Sequence, residues 1–105
     1  MSSGDAQVRE STIKSIQEAV AHLFGLSAEE LRDETTRRAV AVPRNIAIYL
    51  ARQLTDASQP EIGRHFGGRH PSTVMNSIAR VEEQRRTDVA LDHVLRQLLK
   101  SLARR

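Results

Sequence analysis

The chain has 105 residues with no cysteine, no tryptophan and three aromatic residues, enough for one domain around a small aliphatic core and too few for two. Lack of cysteine excludes disulfides and thiolate metal sites and fits a reducing compartment; no apolar run approaches a membrane span or a signal-peptide core, so a cytoplasmic location is the default expectation. The net charge of +3 arises from sixteen basic against thirteen acidic residues, and all but two of the basic ones are arginine, whose planar guanidinium binds phosphate and guanine edges bidentately.

Residues 1–11 are small and polar and read as a flexible leader or linker, leaving the domain proper to residues 12–105. From Thr12 to Phe24, Ile13, Ile16, Val20, Leu23 and Phe24 recur at helical spacing until Gly25 ends the run. Ser27 and Glu30 have the capping-box spacing, which predicts a short helix from about Ala28 to Arg32 with Leu26 and Leu31 turned to the core. Asp33 to Val42 lacks helical periodicity and is expected to be an exposed loop. Its pair Arg37-Arg38 reads either as part of a solvated connection or as an arm that carries arginine to a minor groove or a phosphate. Pro43 then opens a helix from Arg44 to Leu54. Its apolar face, with Ala47, Leu50, Ala51 and Leu54 flanked by Ile46 and Tyr49, is broad enough for a central helix.

Two short helical patterns follow across a glycine break. Ser58 three residues before Glu61 predicts a helix starting at Gln59, with Pro60 in its first turn and Ile62 and Phe66 buried. Gly67-Gly68 permits the positive φ that stops this helix. Pro71 suits a first helical position, and Val74, Ile78 and Val81 give the second helix one apolar stripe, leaving Ser72, Thr73, Asn76 and Arg80 outward. Two helices in this order make a helix-turn-helix, and hydroxyl and amide side chains at the second helix's N-terminus, preceded by Arg69 and His70, suit base edges and phosphates. Arg85-Arg86-Thr87-Asp88 interrupts the pattern. Asp88 is a good N-cap for a closing helix bearing Leu91, Val94, Leu95, Leu98, Leu99 and Leu102, of which Leu99 is expected to stay partly exposed. Lys100, Arg104 and Arg105 suit the negative end of that helix's dipole.

Val40-Ala41-Val42-Pro43-Arg44, Ala51-Arg52-Gln53-Leu54-Thr55, Pro60-Glu61-Ile62-Gly63, Phe66-Gly67-Gly68-Arg69 and Ser72-Thr73-Val74 together resemble the C-terminal DNA-binding domain of the bacterial chromosomal replication initiator family, DnaA, over about Thr12 to Leu102. The resemblance implies an all-α fold, a compact bundle of about six helices containing a helix-turn-helix. It also implies double-stranded DNA as the partner, through recognition of nine-base-pair origin boxes, with the recognition helix in the major groove and a basic loop in the minor groove. Carried over by motif, Arg44 would contact the DNA backbone or groove, Gln59 and Pro60 would abut a phosphate or base, Arg69 would hold a phosphate, and Ser72 with Thr73 would enter the major groove. Asn76 follows one turn later and can add a contact by helix geometry. The family's usual Asp-His before the hydroxyl pair is here His70-Pro71, which changes donor, acceptor and charge at that position. Asp33, Glu34, Thr35 and Thr36 occupy a region that the family fills with basic residues, leaving Arg37 and Arg38 to supply the arm.

No G-x-x-x-x-G-K-[ST] motif is present, so no nucleotide cofactor and no ATP hydrolysis are expected of this chain, although an upstream ATPase domain in a longer chain, or contact with the initiator, is a candidate partnership. His22, His65, His70 and His93 lack metal-ligand spacing, and Glu29-Glu30 and Glu82-Glu83 diverge on their helices, so neither a metal site nor an enzyme is expected. The competing readings are a protein-interaction module built on the same fold and a free-standing regulator that competes with the initiator.

Overall fold

A computed structural model describes residues 3–103. Among these residues there are six helices and no strand: α1 (Ser3–Leu23), α2 (Ala28–Leu31), α3 (Arg38–Leu54), α4 (Gln59–His65), α5 (Pro71–Thr87) and α6 (Val89–Ala103). The all-α fold and the α4–α5 helix-turn-helix are as the sequence predicts. The side chains of Ile13, Ile16, Val20, Leu31, Ala47, Leu50, Ile62, Phe66, Val74 and Leu95 are fully buried and form one continuous core. Helix α3 runs through its centre, packed on α1, α5 and α6; every residue from Ile46 to Ala51 is buried, which no surface helix with a single apolar stripe would show.

Local signals set several boundaries. Ser27 Oγ accepts the Glu30 amide at 3.2 Å while the Glu30 carboxylate accepts the Ser27 amide at 2.9 Å, a complete capping box. Asp88 caps α6 by accepting the Leu91 amide at 3.0 Å. Ser58 Oγ likewise accepts the Glu61 amide at 3.2 Å, but the Glu61 carboxylate is engaged by Arg9 Nε at 3.0 and 3.1 Å.

That ion pair bears on the first departure from expectation. Helix α1 begins at Ser3, inside the stretch expected to be a flexible leader, and Arg9 ties this early part to α4 through Glu61 and, at 3.6 Å, Asp56. Met1 and Ser2, which also belong to that stretch, and Arg104 and Arg105, expected at the end of the last helix's dipole, lie outside the described residues. At its other end α1 turns Gln17 and Ala21 inward and leaves Leu23 and Phe24 exposed, contrary to their predicted place on the core stripe.

The expected loop 33–42 is also shorter than predicted. Helix α3 starts at Arg38, so Pro43 lies inside it instead of opening it. An internal proline forfeits one helical hydrogen bond and costs about 3 kcal/mol in a helix interior; burial of Val40 and the anchoring of Arg44 act in the opposite direction. Helix α5 runs on through Arg85 and Arg86 to Thr87, where an interruption was expected. Arg85 turns inward across Tyr49, its Nη1 donating to the Tyr49 hydroxyl at 2.6 Å, so a charged residue that breaks the apolar pattern still packs.

Candidate nucleic-acid interface

The turn between α4 and α5 is held by two close backbone approaches. Gly63, buried in α4, accepts the Phe66 and Arg69 amides at 3.1 and 2.9 Å, and a Cβ there would lie on the Arg69 carbonyl oxygen. Gly67 has φ +84°, and a Cβ on it would lie on the carbonyl oxygen of Arg32 just after α2. Gln17, only 3% exposed, braces the same junction: its Nε2 donates to the His65 carbonyl at 2.7 Å and its Oε1 accepts from Arg32 Nη1 at 2.9 Å. The start of α5 is thereby fixed relative to α1, α2 and α4.

His70 is the N-cap of α5. Its Nδ1 accepts the Ser72 amide at 3.1 Å and lies 2.8 Å from Ser72 Oγ, and Pro71 follows at the first helical position. Val74, Ser77 and Val81 face inward, whereas Ser72, Thr73, Asn76 and Arg80 are exposed. Ser77, a small residue, lies buried on the α3 side, and α3 and α5 pack closely.

Beside this packing contact an open cleft of about 340 Å³ is lined by Thr36, Ala41, Arg44, Asn45, Arg69, Thr73, Asn76, Ser77 and Arg80. The first turns of α3 and α5 border it together, and neither helix has an acidic residue in its first turn. The lining contains three arginines and no carboxylate. Positive helix ends and guanidinium groups are both stabilised by an anion.

Two of those arginines are deployed differently from expectation. Arg44 is 5% exposed; its Nε donates to the Leu31 carbonyl at 3.1 Å and its Nη2 to the carbonyls of Asp33 and Thr35 at 2.7 and 2.8 Å. Through Nε and Nη2 Arg44 thus fastens the α2–α3 connection to α3, a structural role that its motif does not announce, while the side chain also lines the cleft. Burial, and next the adjacent positive Arg69, push the Arg44 guanidinium below its ordinary pKa, against an opposing pull from Asp33. Arg69 is half-buried, donates through Nη2 to the same Asp33 carbonyl at 2.7 Å, and has its Nε buried without a hydrogen-bond partner.

Of the sequence-predicted residues, Arg44, Arg69, Thr73, Asn76 and Arg80 converge on the cleft. Arg37 and Arg38 are exposed at the start of α3, directly after the cleft residue Thr36, with Arg37 as an N-cap lacking a side-chain capping bond. His70, Pro71 and Ser72 form the leading end of α5. Gln59 and Pro60 begin α4 and do not line the cleft. Sequence reasoning passed over Thr36, Asn45 and Ser77. For Asn45 a signal was present, since it is a polar residue wedged between Arg44 and a run of buried aliphatics; for Ser77 it was absent, because a small residue becomes informative only once a neighbouring helix is in place.

A short helix, a glycine turn clamped at its backbone and a longer helix with a polar outward face define a helix-turn-helix protein. The family model described as bacterial dnaA protein helix-turn-helix matches residues 13–81, and the chain belongs to that family. It is 46% identical over 91 residues to the chromosomal replication initiator protein DnaA of Caulobacter vibrioides (strain NA1000 / CB15N), covering 87% of this chain and 19% of that protein. It is 35% identical over 96 residues to the DnaA of Geotalea daltonii, covering 91% and 22% respectively. The fold matches a crystal structure described as a DNA replication initiation factor with a TM-score of 0.84 and 26% identity, over 93% of this chain and 30% of that one. The chain thus spans about a fifth of the length of these two DnaA relatives.

Proposed function

We propose that this chain binds double-stranded DNA sequence-selectively, with α5 as the reading helix and the α3–α5 cleft as the seat for the phosphate backbone, and that its target is a box of the kind used at bacterial replication origins. The observation that carries this reading is the cleft itself: Arg44, Arg69 and Arg80 stand with Thr73 and Asn76 and no carboxylate, at the meeting of two helix N-termini. Phosphate contacts there position the duplex, and the exposed Ser72, Thr73 and Asn76 meet base edges. Arg37 and Arg38 supply the arm, and His70 with Pro71 sets the approach of α5. Gln59 and Pro60 contribute at most a phosphate contact at the start of α4.

On this reading the chain acts by binding, not by catalysis, and needs no cofactor. Its site of action is the cytoplasm, where the chromosome lies, and among the described residues no helix is long and apolar enough to cross a membrane. Cooperation with an ATPase domain upstream in a longer chain, or with a separate initiator, is part of the same proposal. The exposed polar residues of α5 favour DNA over the protein-docking alternative, which would place an apolar groove on that helix.

The test is a titration of origin-box and scrambled duplexes across a salt series, in which log affinity falls with log salt by about 0.9 per phosphate neutralised. Arg69→Ala is expected to weaken all duplexes alike, whereas Thr73→Ala narrows the gap between box and scrambled sequence. Failure to bind either duplex near physiological salt sinks the proposal, and an intact gap in Thr73→Ala sinks the assignment of α5 as reader.

A further inference from the structure

The leading end of α5 carries a chemical polarity that follows from its capping. A backbone N–H can only donate, so the Ser72 amide 3.1 Å from His70 Nδ1 requires that nitrogen to be the acceptor. The ring proton then resides on Nε2. With Nδ1 unprotonated, the 2.8 Å contact to Ser72 Oγ is made by the serine hydroxyl donating to the ring. His70 is exposed and Pro71 has no polar side chain, so the first group that α5 offers to a partner is a fixed N–H donor, followed by a serine oxygen left with its acceptor lone pairs. Of the side chains that cap helices best, aspartate would present an acceptor at this place and asparagine an amide donor.

We propose that His70 Nε2–H is a specificity-determining donor that favours guanine over cytosine at the base it faces, and that its capping bond sets this preference by holding the tautomer. The inference rests on the DNA-binding reading above. Guanine offers two acceptors, N7 and O6, on its major-groove edge, whereas cytosine offers its N4 amine donor there. A donor locked at the leading end of the reading helix favours the first and leaves the second facing another donor.

Asparagine and aspartate both cap helices well, so they test polarity without removing the cap. Preferred sites are selected from a random duplex pool at pH 8 with the native chain, His70→Asn and His70→Asp, and affinities are then measured on duplexes differing by guanine or cytosine at each position. Far-ultraviolet circular dichroism checks that helicity is retained. The native chain and His70→Asn are expected to share one position at which guanine exceeds cytosine by about three- to tenfold, less than a full bidentate contact provides. His70→Asp is expected to reverse that ratio towards cytosine at the same position, whatever it does to total affinity. A native-like guanine preference at every position in His70→Asp, with binding retained, overturns the role of His70 and leaves the DNA-binding reading standing. No enrichment of any duplex by the native chain overturns both.

Discussion

Two arginine networks tie this small domain together, and they differ in what becomes of the charge. Near the cleft, Arg44 and Arg69 donate to backbone carbonyls of the α2–α3 connection, both of them reaching Asp33 O. At the junction of α3, α5 and α6, Arg85 donates to the Tyr49 hydroxyl and, at 2.8 Å, to Asp92, whose second oxygen accepts from Arg96 at 2.7 Å. Both networks satisfy polar groups and fix helices. Only the second hydrogen-bonds to a carboxylate, the one Asp92 group shared by Arg85 and Arg96, so its charge is partly neutralised locally, whereas the first, with only the longer-range pull of Asp33, keeps its positive charge beside an open cleft. Hydrogen bonding to neutral carbonyls lets a guanidinium build the scaffold and still attract a phosphate.

The two networks should differ most under Arg44→Ala. It leaves the Leu31 and Thr35 carbonyls without the Arg44 donor, and the Asp33 carbonyl with Arg69 alone, and is expected to destabilise the fold by about 3 kcal/mol, near the upper end for a lost charged partner. Chemical denaturation measures this, and a loss well under 1 kcal/mol would show that the α2–α3 connection holds itself. Arg85→Ala removes a partly exposed ion pair and one bond to Tyr49, and about 1 kcal/mol is expected. Arginines that line the cleft, Arg80 among them, and arginines paired with carboxylate should separate further on DNA. Arg80→Ala is expected to lower the slope of log affinity against log salt by about 0.9, the amount for one phosphate contact. Arg85→Ala should leave that slope where it was. Equal slopes in the two variants would mean that local neutralisation does not sort these arginines.

Much of this architecture was legible as sequence because it rests on local chemistry. The Ser27/Glu30 box, the Ser58 and Asp88 caps and the Gly67-Gly68 break work over three or four residues, and each appears where the spacing places it. What was not legible depends on distant partners. The early part of α1 has no apolar stripe to announce it, and its tether, Arg9, meets Glu61 fifty-two positions away. Pro43 reads as a helix start because proline is best tolerated there, yet the burial of Val40 carries α3 past it to Arg38. Arg44 resembles a DNA contact by motif, and its second role as a buried clamp was not legible, because its acceptors are carbonyls that no side-chain pattern reveals. The cleft was half visible: Thr73, Asn76 and Arg80 follow from helix phase and Arg69 from its place just before α5, while Thr36 and Asn45 join only through the approach of α3 to α5.

The smallest expected effect tests the neutralised network by acid. Hydrogen bonds from Arg96 and then Arg85 hold the Asp92 carboxyl below its ordinary range. The folded chain therefore takes up this proton at lower pH than the unfolded chain. Its contribution is full above the ordinary aspartate value of about 4 and is lost as pH falls through the lower, folded value. Asp92→Asn should thus melt below the native chain at pH 7, and the difference should shrink as pH falls below about 4. Thermal melts of both chains from pH 7 to pH 3 measure this directly. A difference that stays constant across that range would mean that Asp92 contributes through shape or neutral hydrogen bonding alone, and the contrast between a neutralised and an open arginine network would lose its electrostatic half.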